Sequence, residues 1–274
     1  MNYADLHIHS SYSDGSMTPE EIVDKAKSLG VKSISITDHD SIASQYIIKN
    51  DYKDINIISG IELSTEYDDL EIHILGYFID IKDKNLNETV NRLNKARIER
   101  IEEILFKLNK NDIHLTLDEL AIDLDSTVIG RSHVANAMVK KGYFDSYKAA
   151  FTNFLVKGKP AYVKGFKLNY KDAIKVINNS GGIAVLAHPG QIYKGLAIEN
   201  IIKDLKFYGL RGVEVYHPSH SREQTNNFYN ICKKYKLFIT GGSDYHGKEC
   251  YNENLIGSYG IKEALLNKLI NFKK

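Results

Sequence analysis

The chain has 274 residues, 43% hydrophobic and 26% charged, enough for one large α/β barrel or two modest domains with a buried core. Its 36 basic and 35 acidic residues leave a formal net charge of +1, so no global field recruits a polyanion such as duplex DNA, and any preference for phosphate has to be local. No apolar run approaches the roughly 18 residues of a membrane span, and two cysteines, Cys232 and Cys250, behind a polar N-terminus without a signal-peptide pattern point to a reducing, cytoplasmic setting.

Residues 3–8 are predicted as a first short strand. His7 and His9 stand two apart, a spacing that projects both rings to one face, and Asp14 follows in a Ser/Gly-rich turn able to bring its carboxylate back toward them. Thr18 and Glu21 form a capping box with Pro19 at the first helical position; Ile22, Val23, Ala26 and Leu29 give the apolar stripe and Gly30 the stop. This strand, turn and helix unit then repeats. Residues 31–37 alternate with Ile34 and Ile36 on one face and end at Asp38, His39 and Asp40, and a third run over 55–61 ends at Glu62. A hairpin follows, turning at Asp68 and Asp69, with Leu70, Ile72 and Ile74 on one side and His73 on the other.

From about residue 84 to 163 the rhythm changes to helices. Leu86, Val90, Leu93, Ile101, Leu105 and Leu108 mark a long amphipathic helix, Thr116 and Glu119 form another capping box, and helical patterns cover 132–141 and 146–155. The segment reads as a helical insertion, a cap over 84–163 that divides a barrel domain made of 1–83 and 164–274. The βα rhythm resumes after it. A helix over 171–179 leads to a strand over 183–187 ending at His188, a helix over 198–208 to a strand over 213–216 ending at His217, and a further helix to a strand over 237–240 ending at Asp244 and His246. Leu265, Leu266 and Leu269 belong to a last helix.

Seven strand candidates alternating mostly with helices predict an α/β fold, a distorted seven-stranded (β/α) barrel with a helical insertion, and such barrels carry their chemistry at the C-terminal ends of the strands. His7, His9, His39, Glu62, His188, Asp244 and His246 all lie near such ends, and His73 faces inward from the hairpin. Imidazoles mixed with carboxylates and no thiolate favour Mn, Fe or Zn, and nine such residues suit two or three ions. Asp38 and Asp40 read as partners that orient metal-bound imidazoles. His114 reads as an exposed residue.

The set His7, His9, Asp14, His39, Glu62, His73, His188, Asp244 and His246, in the contexts Thr37-Asp38-His39, Gly60-Ile61-Glu62, Ala187-His188-Pro189 and Ser243-Asp244-Tyr245-His246, resembles the PHP (polymerase and histidinol phosphatase) superfamily, and most closely its nucleoside 3′,5′-bisphosphate phosphatase branch. The resemblance covers nearly the whole chain. It implies three divalent metal ions: one held by His7, His9, Glu62 and Asp244, a second by Glu62, His73 and His188, a third by Asp14, His39 and His246. Three divalent cations outweigh the three carboxylates and attract a phosphate to a nearly neutral protein. The activity so implied is hydrolysis of a phosphomonoester of a small nucleotide by a metal-bridging hydroxide.

Arg131, opening an insertion helix in a Gly-Arg-x-His segment similar to one of that branch, can fork onto a phosphate, with His133 as its neighbour. Lys159 and Tyr162 lie in another stretch similar to that branch and are candidates for a second phosphate or the base. His217 is the candidate to donate a proton to the leaving group or to hold a phosphate, with His220 a weaker candidate. Competing readings are a 5′ to 3′ exonuclease on short oligonucleotides, a histidinol phosphatase, and, from another class, a non-catalytic metal-binding regulatory module.

Overall fold

Each βα unit at the N-terminus is built by local signals that the computed structural model satisfies; it describes residues 3–48, 52, 54–120, 127–192, 198–247 and 256–273. Strand β1 (Ala4–Ile8) feeds helix α1 (Pro19–Ser28), whose N-terminus carries the reciprocal capping box of Thr18 and Glu21 with Pro19 in the first turn. Ile22, Val23 and Ala26 are buried, and Gly30 takes a φ of 74°, the left-handed conformation that ends a helix without a Cβ clash. Strand β2 (Ser33–Ile36) and the short helix α2 (Ala43–Ile47) follow.

The run over 55–61 is not one strand. Asn56–Ile57 forms β3 on β2, and Gly60–Tyr67 forms β4, because the backbone changes partner between them: Ile58 N–H donates to Ile34 O (2.9 Å), whereas Ser59 O accepts from Phe78 N–H (2.8 Å). Strand β5 (Leu70–Tyr77) pairs antiparallel with β4, with Tyr67 opposite Leu70 across the predicted turn. Asp68 and Asp69 both take positive φ there, as a tight hairpin turn requires. Helix α3 (Lys84–Asn109) then runs for 26 residues.

The chain divides into two compact units, one of residues 1–89 and 167–274, the other of 90–166. In the second unit, helix α4 (Arg131–Lys140) and helix α5 (Tyr147–Ala150) follow α3, and the chain passes from α5 into a wider turn over Phe151–Leu155, so the helix expected over 146–155 is regular only in its first half. The capping-box contact of Thr116 N–H with Glu119 (2.9 Å) heads only a three-residue turn, Asp118–Leu120, next to residues outside those described. Ile101, Ile104, Leu108, Val134, Met138 and Leu155 are among the side chains that form this unit's own core.

In the first unit, β6 (Leu168–Asn169) and helix α6 (Tyr170–Asn179) restart the alternation, followed by β7 (Ile183–Leu186), α7 (Ile198–Phe207), β8 (Gly212–Tyr216), α8 (Arg222–Tyr235), β9 (Phe238–Gly241) and α9 (Glu263–Lys273). The strands form a three-stranded sheet β1-β2-β3 and a six-stranded sheet β6-β4-β5-β7-β8-β9. Isolated bridges join Ile8 to Tyr245 beyond β9 and His39 beyond β2 to Glu62 on β4. Ala4, Leu6, Leu75, Tyr77, Val185 and Ala187 share one apolar cluster, and Ile8, Ile22, Ile34 and Ile36 another. Cys232 is buried and unpaired, while Cys250 lies outside the described residues. Among the described residues no helix is long and apolar enough to cross a membrane.

Gly242, just past β9, packs directly against β1. A Cβ there would fall 2.3 Å from the Cβ of His7 and 2.4 Å from its backbone nitrogen, and backbone cannot swing aside. Gly242→Ala is therefore expected to lower stability by about 1–3 kcal/mol, as overpacking does, read as a drop in the urea midpoint; an unchanged midpoint would show that β1 and β9 can separate freely at this point.

Candidate metal centre

The residues that end the strands of the first unit converge. His7 lies in β1 and His9 just beyond it, and the two-residue spacing turns both rings to one place, their Nε2 atoms 3.1 Å apart. The loop that carries Asp14 is tied down by Asp38, whose carboxylate accepts from Ser10 N–H (2.7 Å), Ser10 Oγ (2.8 Å) and Ser13 Oγ (2.7 Å). Asp40 accepts from Ser64 N–H at 2.8 Å. These bonds of Asp38 thus run to the loop that carries Asp14, and that of Asp40 to β4. His39, His188, Asp244 and His246 follow β2, β7 and β9, and Glu62 and His73 lie in β4 and β5. His188 (φ 22°) and Asp244 (φ 50°) sit in left-handed backbone that costs a non-glycine residue energy, as at strand exits that aim side chains inward.

Glu62 is fully buried and is the hub. Its Oε1 accepts from His73 Nδ1 and His188 Nε2, both at 3.0 Å. Its Oε2 lies 2.9 Å from His39 Nδ1, 3.3 Å from His9 Nε2 and 3.4 Å from His7 Nε2. Asp244 Oδ1 stands 3.1 Å from His9 Nε2 and 3.4 Å from His7 Nε2, while its Oδ2 accepts from His217 Nε2 at 3.2 Å. Asp14 faces His246 Nε2 at 3.3 Å, His9 Nδ1 at 3.8 Å and His39 Nε2 at 4.0 Å.

Among the described residues, four groups place potential ligand atoms within 4.8 Å of one another: His9, Asp14, His39 and His246; His7, His9 and Glu62; His7, His217 and Asp244; and His39, Glu62 and His73. His9 thus belongs to two groups, and His217 enters a group that the resemblance does not give it. His188 reaches the cluster through Glu62.

The charge pattern is that of a cation site. Burial alone raises Glu62, but His39, His7 and His73 around it hold its carboxyl well below the usual carboxylate range. Burial likewise opposes Asp14 and Asp244, and the imidazoles beside them hold both well below that range. Burial lowers His73 and His246, yet Glu62 beside the first and Asp14 beside the second outweigh it and push each up to about 10. His9 is pushed down to about 4 by burial and by His246 and His39. Several buried atoms find no hydrogen-bond partner of good geometry, among them His9 Nδ1, Asp14 Oδ1, His39 Nδ1 and Glu62 Oε2. Unpartnered buried nitrogen and carboxylate atoms aimed at one place, with no thiolate, are the donor set that divalent Mn, Fe or Zn accepts.

Two buried carboxylates in this region were not singled out by sequence. Glu214 of β8 is fully buried and accepts from His7 Nδ1 (3.0 Å) and His188 N–H (2.8 Å); its only trace in the sequence is an acid between Val213 and Val215. Asp5, in β1, accepts from Ser243 N–H (2.9 Å) and Gly257 N–H (2.7 Å), and burial pushes its carboxyl up to about 6. His220 uses both nitrogens on backbone, donating to Val215 O (2.9 Å) and accepting from Gly190 N–H (3.1 Å), which makes it a brace. His114 is exposed.

Arg131, His133, Lys159 and Tyr162 belong to the second unit. Arg131 opens α4, donates to Leu155 O (3.1 Å) and lies over the Phe151 ring at 5.3 Å. His133 Nδ1 accepts from Gly130 N–H at 3.0 Å. Lys159 is exposed and Tyr162 half-buried.

Residues 5–208 match the PHP domain family. A 3′,5′-nucleoside bisphosphate phosphatase of Chromobacterium violaceum is 31% identical over 246 residues, 88% of this chain and 86% of that one. The 5′-3′ exoribonuclease Rnm of Escherichia coli is 31% identical over 253 residues, 89% of this chain and 86% of its own. A crystal structure from Bifidobacterium adolescentis, described as a candidate metal-dependent phosphoesterase, superposes with a TM-score of 0.91 at 26% identity, covering 98% of this chain and 96% of that one.

Because Glu62 and Asp14 push His73 and His246 up to about 10 when no cation stands beside them, and a ligand needs a bare lone pair, metal uptake at pH 7–8 is expected to displace protons. Addition of Mn²⁺ to metal-stripped protein in weak buffer is expected to release protons and to bind more weakly as pH falls. Uptake without proton release, and with affinity independent of pH, would contradict the assignment of these rings as ligands.

Proposed function

The chain belongs to the PHP domain family, and we propose that it is a metal-dependent phosphoesterase that hydrolyses a phosphomonoester of a small nucleotide such as a nucleoside 3′,5′-bisphosphate. The observation that carries the reading is the convergence of buried imidazoles on Glu62, Asp244 and Asp14, with unpartnered ligand atoms among them. Proposed as ligands are His7, His9, Asp14, His39, Glu62, His73, His188, Asp244 and His246, holding three ions. The bridges at Ile8 and His39 support reading β1, β2, β4, β5, β7, β8 and β9 as one closed seven-stranded barrel. Residues 84–163 are proposed as its cap.

Divalent ions at such a site lower the pKa of water and stabilise charge on an in-line phosphoryl transition state. The chain's own part is to keep three carboxylates ionised among the imidazoles and to hold protons where they are needed. His217 Nδ1 stands 2.8 Å from Ser219 Oγ and 3.1 Å from Ser219 N, and its Nε2 stands 3.2 Å from Asp244 Oδ2. We propose the imidazolium form of His217 as the donor to the leaving oxygen: Nε2 gives up its proton while Nδ1–H stays on Ser219 Oγ, and the ring ends neutral. Arg131 spends one N–H on Leu155 O and keeps other donors of its fork for a phosphate. His133, Lys159 and Tyr162 are the further proposed substrate contacts. The exoribonuclease relative, as similar as the phosphatase, supports a second reading, 5′ to 3′ removal of nucleotides from short RNA.

Metal-stripped protein reconstituted with Mn²⁺ is to be given adenosine 3′,5′-bisphosphate, histidinol phosphate and a short 5′-phosphorylated RNA, following phosphate and mononucleotide. Preferential phosphate release from the bisphosphate is expected. Asp14→Ala should abolish it, and His217→Asn should lower kcat by about 10²–10⁴ with metal content unchanged, as loss of a general acid does. Mononucleotide release from RNA as the fastest reaction would favour the exonuclease. Metal binding without turnover of any substrate would favour the non-catalytic module.

A further inference from the structure

Glu214 lies in the middle of β8 between Val213 and Val215, and all three are fully buried. A carboxylate in such a place is unfavourable unless each oxygen is satisfied. Both are: Oε1 by His7 Nδ1–H at 3.0 Å, and Oε2 by the backbone N–H of His188 at 2.8 Å. The partners come from β1 and from the exit of β7, two separate strands. His188 is also the residue whose φ of 22° and ψ of 60° make it the most unusual backbone at a strand exit.

We infer that Glu214 is a positioning residue of the metal centre, one that fixes which nitrogen of His7 is offered to a cation and holds His188 in its strained conformation. The inference rests on the reading of His7 and His188 as metal ligands. A carboxylate can only accept, so it keeps a proton on His7 Nδ1 whatever the charge of the ring. Nε2 is then the only His7 nitrogen able to present a lone pair, and it is the one that faces His9 Nε2 (3.1 Å), Glu62 Oε2 (3.4 Å) and Asp244 Oδ1 (3.4 Å). The second oxygen ties the same device to His188, whose ring reaches Glu62 Oε1 at 3.0 Å. One side chain that touches neither the cluster's centre nor solvent thereby sets two rings that do.

Glu214→Gln separates this role from mere packing. The amide has the carboxylate's shape, but His188 N–H remains a donor, so the amide oxygen must face it and the NH₂ group must face His7. His7 Nδ1 then has to accept, which moves the ring proton to Nε2 and removes its lone pair from the cluster. The variant and the wild type are to be stripped of metal, melted, and titrated with Mn²⁺ while bound metal per chain is counted. Glu214→Gln is expected to bind Mn²⁺ roughly 10 to 100-fold more weakly at one site, as loss of a partner behind a ligand does, at a temperature where the metal-free melts show both proteins folded. Equal stoichiometry and affinity in the two proteins overturns the inference. Absence of Mn²⁺ binding by the wild type instead overturns the metal reading on which it rests. Should the variant not fold, nitrogen NMR of the Zn²⁺-loaded wild type decides: a proton on His7 Nδ1 with the metal on Nε2 supports the role, and a proton on Nε2 refutes it.

Discussion

The structure depends on keeping the carboxylate of Glu62 charged where it is fully buried. Fully buried on β4, it is tolerable only because His7, His9, His39, His73 and His188 surround it, the last two donating to it at 3.0 Å. Those rings come from different strands, so satisfying one carboxylate ties the exits of β1, β2 and β7 and the middle of β5 to β4. The protonated imidazoles and the ionised acids compensate one another in the metal-free fold. Divalent cations replacing those protons, as proposed, would leave a positive surplus able to attract a phosphate to a chain whose net charge is only +1.

Aiming so many side chains at one place costs the backbone regularity that strands and turns otherwise have. His188, Asp244 and Asp40 take positive φ, β1 carries a bulge before His9, and Gly242 has no Cβ because His7 occupies the space. Each of these irregularities lies at the C-terminal end of a strand, where the following loop is free to bend. Hydrogen bonds from the supporting layer secure them: Asp38 to the serines before Asp14, Asp5 to the backbone before Asp244, and Glu214 to His7 and His188. A site of this kind is held from behind as much as it is formed in front.

Much of this was legible in the sequence, for identifiable reasons. The capping box at Thr18, the turn at Asp68 and Asp69 and the buried stripe of α1 are local signals, and local physics decided them. The strand-end histidines were legible because period and position pointed the same way. The break between β3 and β4 was not, since it arises from a change of hydrogen-bonding partner that no periodicity records. Nor were Glu214 and the serine bonds of Asp38: an acid inside Val-Glu-Val reads as one face of a half-exposed strand until the neighbouring strands show that both faces are covered. Ligand types announce themselves by residue; the partners behind them do so only by contact.

The cluster around Glu62 is proposed to hold divalent cations. Crystals grown with Mn²⁺ and measured at the manganese absorption edge test it most directly. At least two anomalous peaks are expected between Glu62, Asp244, Asp14 and the surrounding imidazole nitrogens, with a neighbouring pair about 3.5–4 Å apart, the spacing of ions that share a phosphoryl substrate. A map with no peak there, the rings still donating to Glu62, would contradict the account and leave the cluster as a buried network of ion pairs.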